Sequence, residues 1–219
     1  MDTLFTTIKT TPDLFWTGDI GVVIQDDIVA RLQEKLITPT TRMFHMFLLV
    51  QYIPDERDWV IYESTPMAGV SIGRLSWYSG MHIMVFRPIK HLSSIQTEFD
   101  MQWGQHAVMN STKDGRKHYN FIIYIKIAYR LFNYCGRHIK PAPYTIFPND
   151  SNHTVVCTMF GNDAWKDICP IFDERYLPIP ANFKQQWDED KVALIGDWPG
   201  DKSFHKYKIG YKPQGKRSL

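Results

Sequence analysis

Cysteine is scarce in this chain: 219 residues hold three, Cys135, Cys157 and Cys169. An odd number with no short pairing pattern excludes a disulfide framework and fits free thiols in a reducing compartment. No C-x-x-C or H-x-x-x-H pair suggests a zinc site, and neither a metal nor a cofactor is expected. Long apolar runs are missing too, which argues against a transmembrane segment. The start, Met1-Asp2-Thr3-Leu4-Phe5, lacks the positive charge and apolar stretch of a signal peptide. These absences place the chain in the cytoplasm as an expectation, export by another route aside. No internal repeat is found.

What is present suits one sizeable core: 44% of residues are hydrophobic and 14% aromatic. The formal net charge is +2, but Lys202, Lys206, Lys208, Lys212, Lys216 and Arg217 follow Asp201 with no acid among them, leaving the rest of the chain at about −4. A single domain is expected over residues 1–200, with a basic, aromatic tail over 201–219. Phe204, Tyr207 and Tyr211 interleave with the tail's lysines, a composition that suits an acidic or anionic partner. A net-negative body argues against a nucleic-acid protein as such.

Patterning predicts strands first and helices later. A turn at Thr17-Gly18 leads into a strand from about Asp19 to Gln25, and Asp26 to Leu36 has helical character. Met43 to Tyr52 is a nearly continuous apolar run with His45 as its one strongly polar interior residue, and it reads as a buried strand. A polar turn, Pro54 to Asp58, joins it to a second strand, Trp59 to Ser64, in an antiparallel hairpin. Val70-Ser71-Ile72 and Met81 to Phe86 add further short strands. His91 to Met109 and Tyr119 to Tyr134 read as helical, although the Ile and Tyr content of the second also suits a strand. A proline-rich connector then leads to a helix running towards Trp165. Beyond Cys169 a loop-rich stretch holds one short helix, Ala181 to Asp188. The pattern is α+β, an antiparallel sheet packed against helices.

Cys157 is the candidate nucleophile. Asp150, Ser151 and Asn152 are residue types that cap a helix start, so Cys157 is expected within about two turns of the helix's positive end. A thiolate is the attacking species, and a helix N-terminus with a nearby imidazolium favours it. Cys135 precedes Gly136 and Cys169 precedes Pro170, both helix-end signals, so neither shares that placement. A lone cysteine beside Val155, Val156 and Phe160 also reads as a small buried apolar residue.

A thiol hydrolase needs an imidazole in reach and a polar group to orient it. Strand alternation puts His45 on a face with Phe47 and Leu49, and Glu63 on a face with Trp59 and Ile61, where an imidazole and a carboxylate are both costly to bury alone. If the faces coincide, Glu63 accepts from one ring nitrogen and the other meets the Cys157 sulfur, in an open groove. A buried His–Glu pair serving packing alone fits these residues equally. His153 is the rival base, but four residues before Cys157 it shares that residue's helix face and is badly directed.

Gly18-Asp19-Ile20, then His45 before an apolar strand, Tyr62-Glu63-Ser64 before Gly69-Val70, Tyr119-Asn120 and Cys157-Thr158 together resemble the circularly permuted branch of the NlpC-type papain-fold cysteine hydrolases. The likeness is to YiiX-like proteins and, more distantly, to lecithin retinol acyltransferase. It runs from about Gly18 to Ala181. It implies a permuted papain-like fold, with the histidine strand ahead of the nucleophile helix. It further implies Cys157 as nucleophile, His45 as base, Glu63 as its orienting partner, Tyr119 near the developing oxyanion and Asp19 as a structural, non-catalytic residue. The activity implied is a peptidase or amidase, or an acyltransferase, working through an acyl-enzyme. Cell-wall peptides, other isopeptide-like amides and lipid acyl groups are the substrate classes this allows. The family commonly has Cys-Ser-Glu where this chain has Cys157-Thr158-Met159, and Tyr-Asp where it has Tyr119-Asn120. Those departures leave open a catalytically inactive module with a structural, assembly or binding role.

Overall fold

The computed structural model describes residues 4–26, 28–65, 69–89, 98–112, 122–138, 140–148 and 157–200. The cap residues Asp150, Ser151 and Asn152, the rival base His153, Tyr119 and the 201–219 tail lie outside them.

A β-rich apolar run, Ile20–Ile24, forms strand β1 at the centre of a six-stranded antiparallel sheet. Its neighbours are β3 (Met43–Ile53) and β6 (His82–Pro88). Outside β3 lie β4 (Asp58–Thr65) and then β5 (Gly69–Arg74), and outside β6 lies β8 (Val192–Trp198). The β3–β4 pair is the hairpin expected from the sequence, turning through residues 54–57 with Arg57 at φ 49°. A small parallel pair joins β2 (Ile37–Thr38) to β7 (Ala142–Pro143). The helices are α1 (Leu4–Thr10), α2 (Ile28–Leu36), α3 (Glu98–Thr112), α4 (Ile122–Cys135), α5 (Cys157–Trp165) and α6 (Pro180–Asp188).

Alternation along the strands sends side chains to two cores. On one face Val22, Met46, Leu48 and Phe86 meet Ala107 of α3, Ala164 and Trp165 of α5 and Phe183 of α6. On the other, Val23, Phe47, Leu49 and Ile61 meet Leu4 and Ile8 of α1, Phe15, and Leu75 and Tyr78 of a 3-10 turn. Each such side chain removed from water contributes about 1.5–3 kcal/mol before entropy is charged against it. A third cluster, with Ile37, Phe147 and Leu177, seats Ile127 and Leu131 of α4.

Gly18 and Asp19 bind these layers together. Gly18 takes φ +93°, and a Cβ there would stand 2.8 Å from Gly104 Cα and from the Trp165 ring. Its carbonyl accepts from Trp165 Nε1 at 3.0 Å, which ties the C-terminal end of α5 to the start of β1. Asp19, fully buried, accepts from Arg87 Nε and Nη2 at 2.7 Å each and from the Trp16 N–H at 2.8 Å. Arg87 also donates to the Leu14 carbonyl and lies 3.7 Å from the Trp16 ring centroid.

Two of the longer elements were not expected from the sequence. Helix α1, LFTTIKT, is rich in β-branched residues that weaken a helix, and tertiary packing of Leu4 and Ile8 overrides that preference. Strand β8 carries Val192 and Trp198 as its fully covered ends, with a bulge and Gly196 between, so its sequence shows no clean period of two.

Candidate active site

The described part of α5 begins at Cys157 and ends at Trp165. Gly161 lies one turn further along on the same face as Cys157, and a Cβ there would sit 2.4 Å from Met46 Sδ. Its lack of a side chain lets the helix press onto β3. Cys157 is thereby brought over the start of that strand, where its Sγ lies 3.9 Å from the Phe44 carbonyl oxygen.

A bulge in β3 completes the approach. Val23 of β1 pairs with His45, but Ile24 pairs with Met43, so Phe44 is the extra residue. Met43 and Met46 therefore share the helix-covered core although three apart, and Phe44 is displaced outwards. Bulges re-aim the side chains beside them, and here the residue re-aimed is His45.

His45 Nε2 lies 2.8 Å from Glu63 Oε2. The Cys157 sulfur is near enough to favour charge on the ring, and with Nε2 engaged by Glu63, Nδ1 is the nitrogen left to face it. The structure thus brings together Cys157, His45 and Glu63 from α5, β3 and β4, while Asp19 sits apart with Arg87. Glu63 faces Phe47 across the hairpin, which puts it on the diagonal from His45.

Charge on the ring is favoured. Burial opposes it, but the hydrogen bonds to Cys157 and Glu63, with their charges, outweigh burial and raise the His45 pKa from 6.5 to about 10. Burial pushes the Glu63 carboxyl up, yet the bond and charge of His45, with the Tyr78 hydroxyl, hold it below its ordinary value.

Tyr78 is the site residue that sequence reasoning missed. Its hydroxyl donates to the same Glu63 Oε2 that His45 engages, and its ring stacks between those of His45 and Phe47, with centroids 6.1 Å and 4.8 Å away. It stands on the 3-10 turn Leu75–Tyr78, which carries no periodic signal. Tyr78→Phe keeps the stack and removes one donor to a buried carboxylate. The expected result is a loss of about 1.5–3 kcal/mol in stability by denaturant unfolding. Alkylation of Cys157 should slow only a few fold, because His45 still bonds Glu63.

Among the described residues, the open groove expected around this sulfur is not found. Cys157 is 5% exposed, and the cavity beside His45 and Thr158 has a volume of about 10 Å³. The cause is the core cluster in which Cys157 packs with Met43, Met46 and Phe183. No group of three or more His, Cys, Asp or Glu among the described residues is placed to hold a metal ion. Nor is any described helix long and apolar enough to cross a membrane. Comparison with known protein families finds no matching family model, and no curated protein matches the chain.

Proposed function

We propose that the chain is a cysteine hydrolase of the permuted papain-like type, acting on an amide or acyl carbonyl through Cys157, His45 and Glu63. The observation that carries this reading is His45 held at 2.8 Å by a buried carboxylate with the Cys157 sulfur beside its ring, the arrangement a thiol nucleophile needs. The Cys157 sulfur attacks the carbonyl carbon and forms a C–S bond. Backbone N–H groups at the described start of α5 are the donors this reading assigns to the oxyanion that develops. His45 passes its proton to the departing amine or alcohol as the C–N or C–O bond breaks. It then takes a proton from water, whose oxygen attacks the acyl-enzyme and releases the acid and the thiol. Glu63 holds the ring and balances its charge throughout. A peptide-type amide is the preferred substrate class by analogy with the resembling family.

Burial of the sulfur favours a second reading, a catalytically inactive binding or assembly module in which the same three side chains serve packing. Thiol reactivity separates the two, and the molecule supplies its own control. Cys169 is 6% exposed against 5% for Cys157, whereas Cys135 is exposed. At pH 7, iodoacetamide is expected to modify Cys157 faster than Cys135 and at least tenfold faster than Cys169, read by peptide mass mapping. Equal, slow labelling of Cys157 and Cys169 would establish the inactive module. Profiling with acyl and peptide thiol probes, wild type against Cys157→Ala, then identifies the substrate class.

A further inference from the structure

Helix α4 rests its inner side, Ile127 and Leu131, on the third core cluster. Its outer side is apolar as well. Ile125, Tyr129 and Phe132 follow at spacings of four and three, which puts them on one stripe, and they are 69%, 68% and 80% exposed. Three neighbouring large side chains this open mark an interaction surface rather than the scattered exposure of an ordinary face.

The charge along this stretch of the chain is of one sign. Residues 115–148 contain six Lys or Arg and no Asp or Glu. Three of the six, Lys126, Arg130 and Arg137, stand on α4 or just past its end. Arg130 and Arg137, with Tyr134 and His138, line an open recess of about 330 Å³ on this helix. Guanidinium forks suit phosphate, and an apolar stripe beside them suits acyl chains. A folded acidic protein would match the charge but would leave most of the stripe's apolar area to chance, whereas an anionic bilayer surface supplies both chemistries in one layer. Helices with this composition lie in the interface plane, apolar side down and basic side chains at headgroup level.

We infer that the outer face of α4 docks on anionic phospholipid membranes, with Ile125, Tyr129 and Phe132 entering the interface and Arg130 and Arg137 engaging headgroup phosphates. This goes beyond the proposed hydrolase and does not depend on it. The test is co-sedimentation of the full chain with vesicles of phosphatidylcholine alone or with three parts in ten phosphatidylserine. Binding is expected only to the anionic vesicles, weakening with salt. Ile125→Ser/Tyr129→Ser/Phe132→Ser should lower it at least tenfold with the melting temperature unchanged, since these side chains lie outside the core. Arg130→Gln/Arg137→Gln should lower it severalfold and flatten the salt dependence. The inference is overturned if wild type ignores anionic vesicles, or if the triple variant binds them as wild type does. It is overturned equally if light scattering shows a wild-type dimer that the triple variant converts to monomer, because the stripe would then serve a second copy of the chain.

Discussion

Replacing His45 by glutamine is expected to slow iodoacetamide modification of Cys157 at pH 7 about thirtyfold and to leave Cys169 unchanged. The size follows from acid–base arithmetic. A thiol of ordinary pKa, about 8.5, is only about 3% thiolate at pH 7, so about thirtyfold is the most that a neighbouring base can add to its rate of alkylation. Glutamine retains an N–H for Glu63 Oε2, so the buried carboxylate keeps a partner and the loss is assigned to the base. Turnover should fall further, by about 10²–10⁴, because proton delivery to the leaving group is lost as well. An unchanged alkylation rate would show that the ring does nothing for the sulfur.

The same substitution has a signature in stability against pH. The His45 pKa is raised in the fold, from 6.5 to about 10, so the protonated ring stabilises the native state. That contribution is complete below pH 6.5 and disappears as pH climbs to about 10. Glu63 has the opposite sign: its pKa is lowered, so its contribution is present above the ordinary carboxylate range and is lost on acidification through the lowered value. Thermal melts should therefore show the gap between wild type and His45→Gln narrowing between pH 6.5 and 10. A gap that stays constant over that window would mean the ring is neutral in the native protein.

Much of this geometry was legible in the sequence, for a physical reason. His45 and Glu63 are polar residues on apolar strand faces, and burial makes such residues costly unless they pair, so alternation alone pointed to both. The hairpin that joins them is local, four residues of turn between two apolar runs, and local contacts are those a pattern can show. Cys157 was harder, since a buried cysteine beside valines reads as packing, and nothing local says that Gly161 lets its helix close on Met46. Tyr78 was invisible for the same reason: its role depends on a 3-10 turn folding back over the hairpin. The burial of the sulfur is likewise tertiary, in a core that Cys157 shares with Met43 and Met46 from β3 and Phe183 from α6. Strand β8 was missed because an edge strand with a bulge needs no strict alternation.

Asp19→Ala is expected to cost about 3–5 kcal/mol of folding stability, measured by chemical denaturation. Arg87 is 5% exposed, and its guanidinium has its bidentate acceptor in Asp19. Removing the carboxylate strands a buried charge with, among the described residues, the Leu14 carbonyl and the Trp16 ring beside it. Against a total stability of about 5–15 kcal/mol that loss is severe. Removing both charges is a different matter, because an apolar pair of similar volume avoids desolvating either ion. Asp19→Ala/Arg87→Leu should therefore recover most of the loss, and a double variant no more stable than the single would show that the pair's shape, not its charge, is what the fold requires. The consequence reaches the sulfur. Asp19 adjoins the Gly18 carbonyl that receives Trp165 Nε1, so the turn that the Asp19–Arg87 pair secures also fixes the far end of the helix bearing Cys157. Where the single variant still folds, Cys157 should lose part of its rate advantage over Cys169, and the double variant should restore it. A single variant that is unstable yet keeps the full rate ratio would place the anchoring of α5 elsewhere, in its packing on β3.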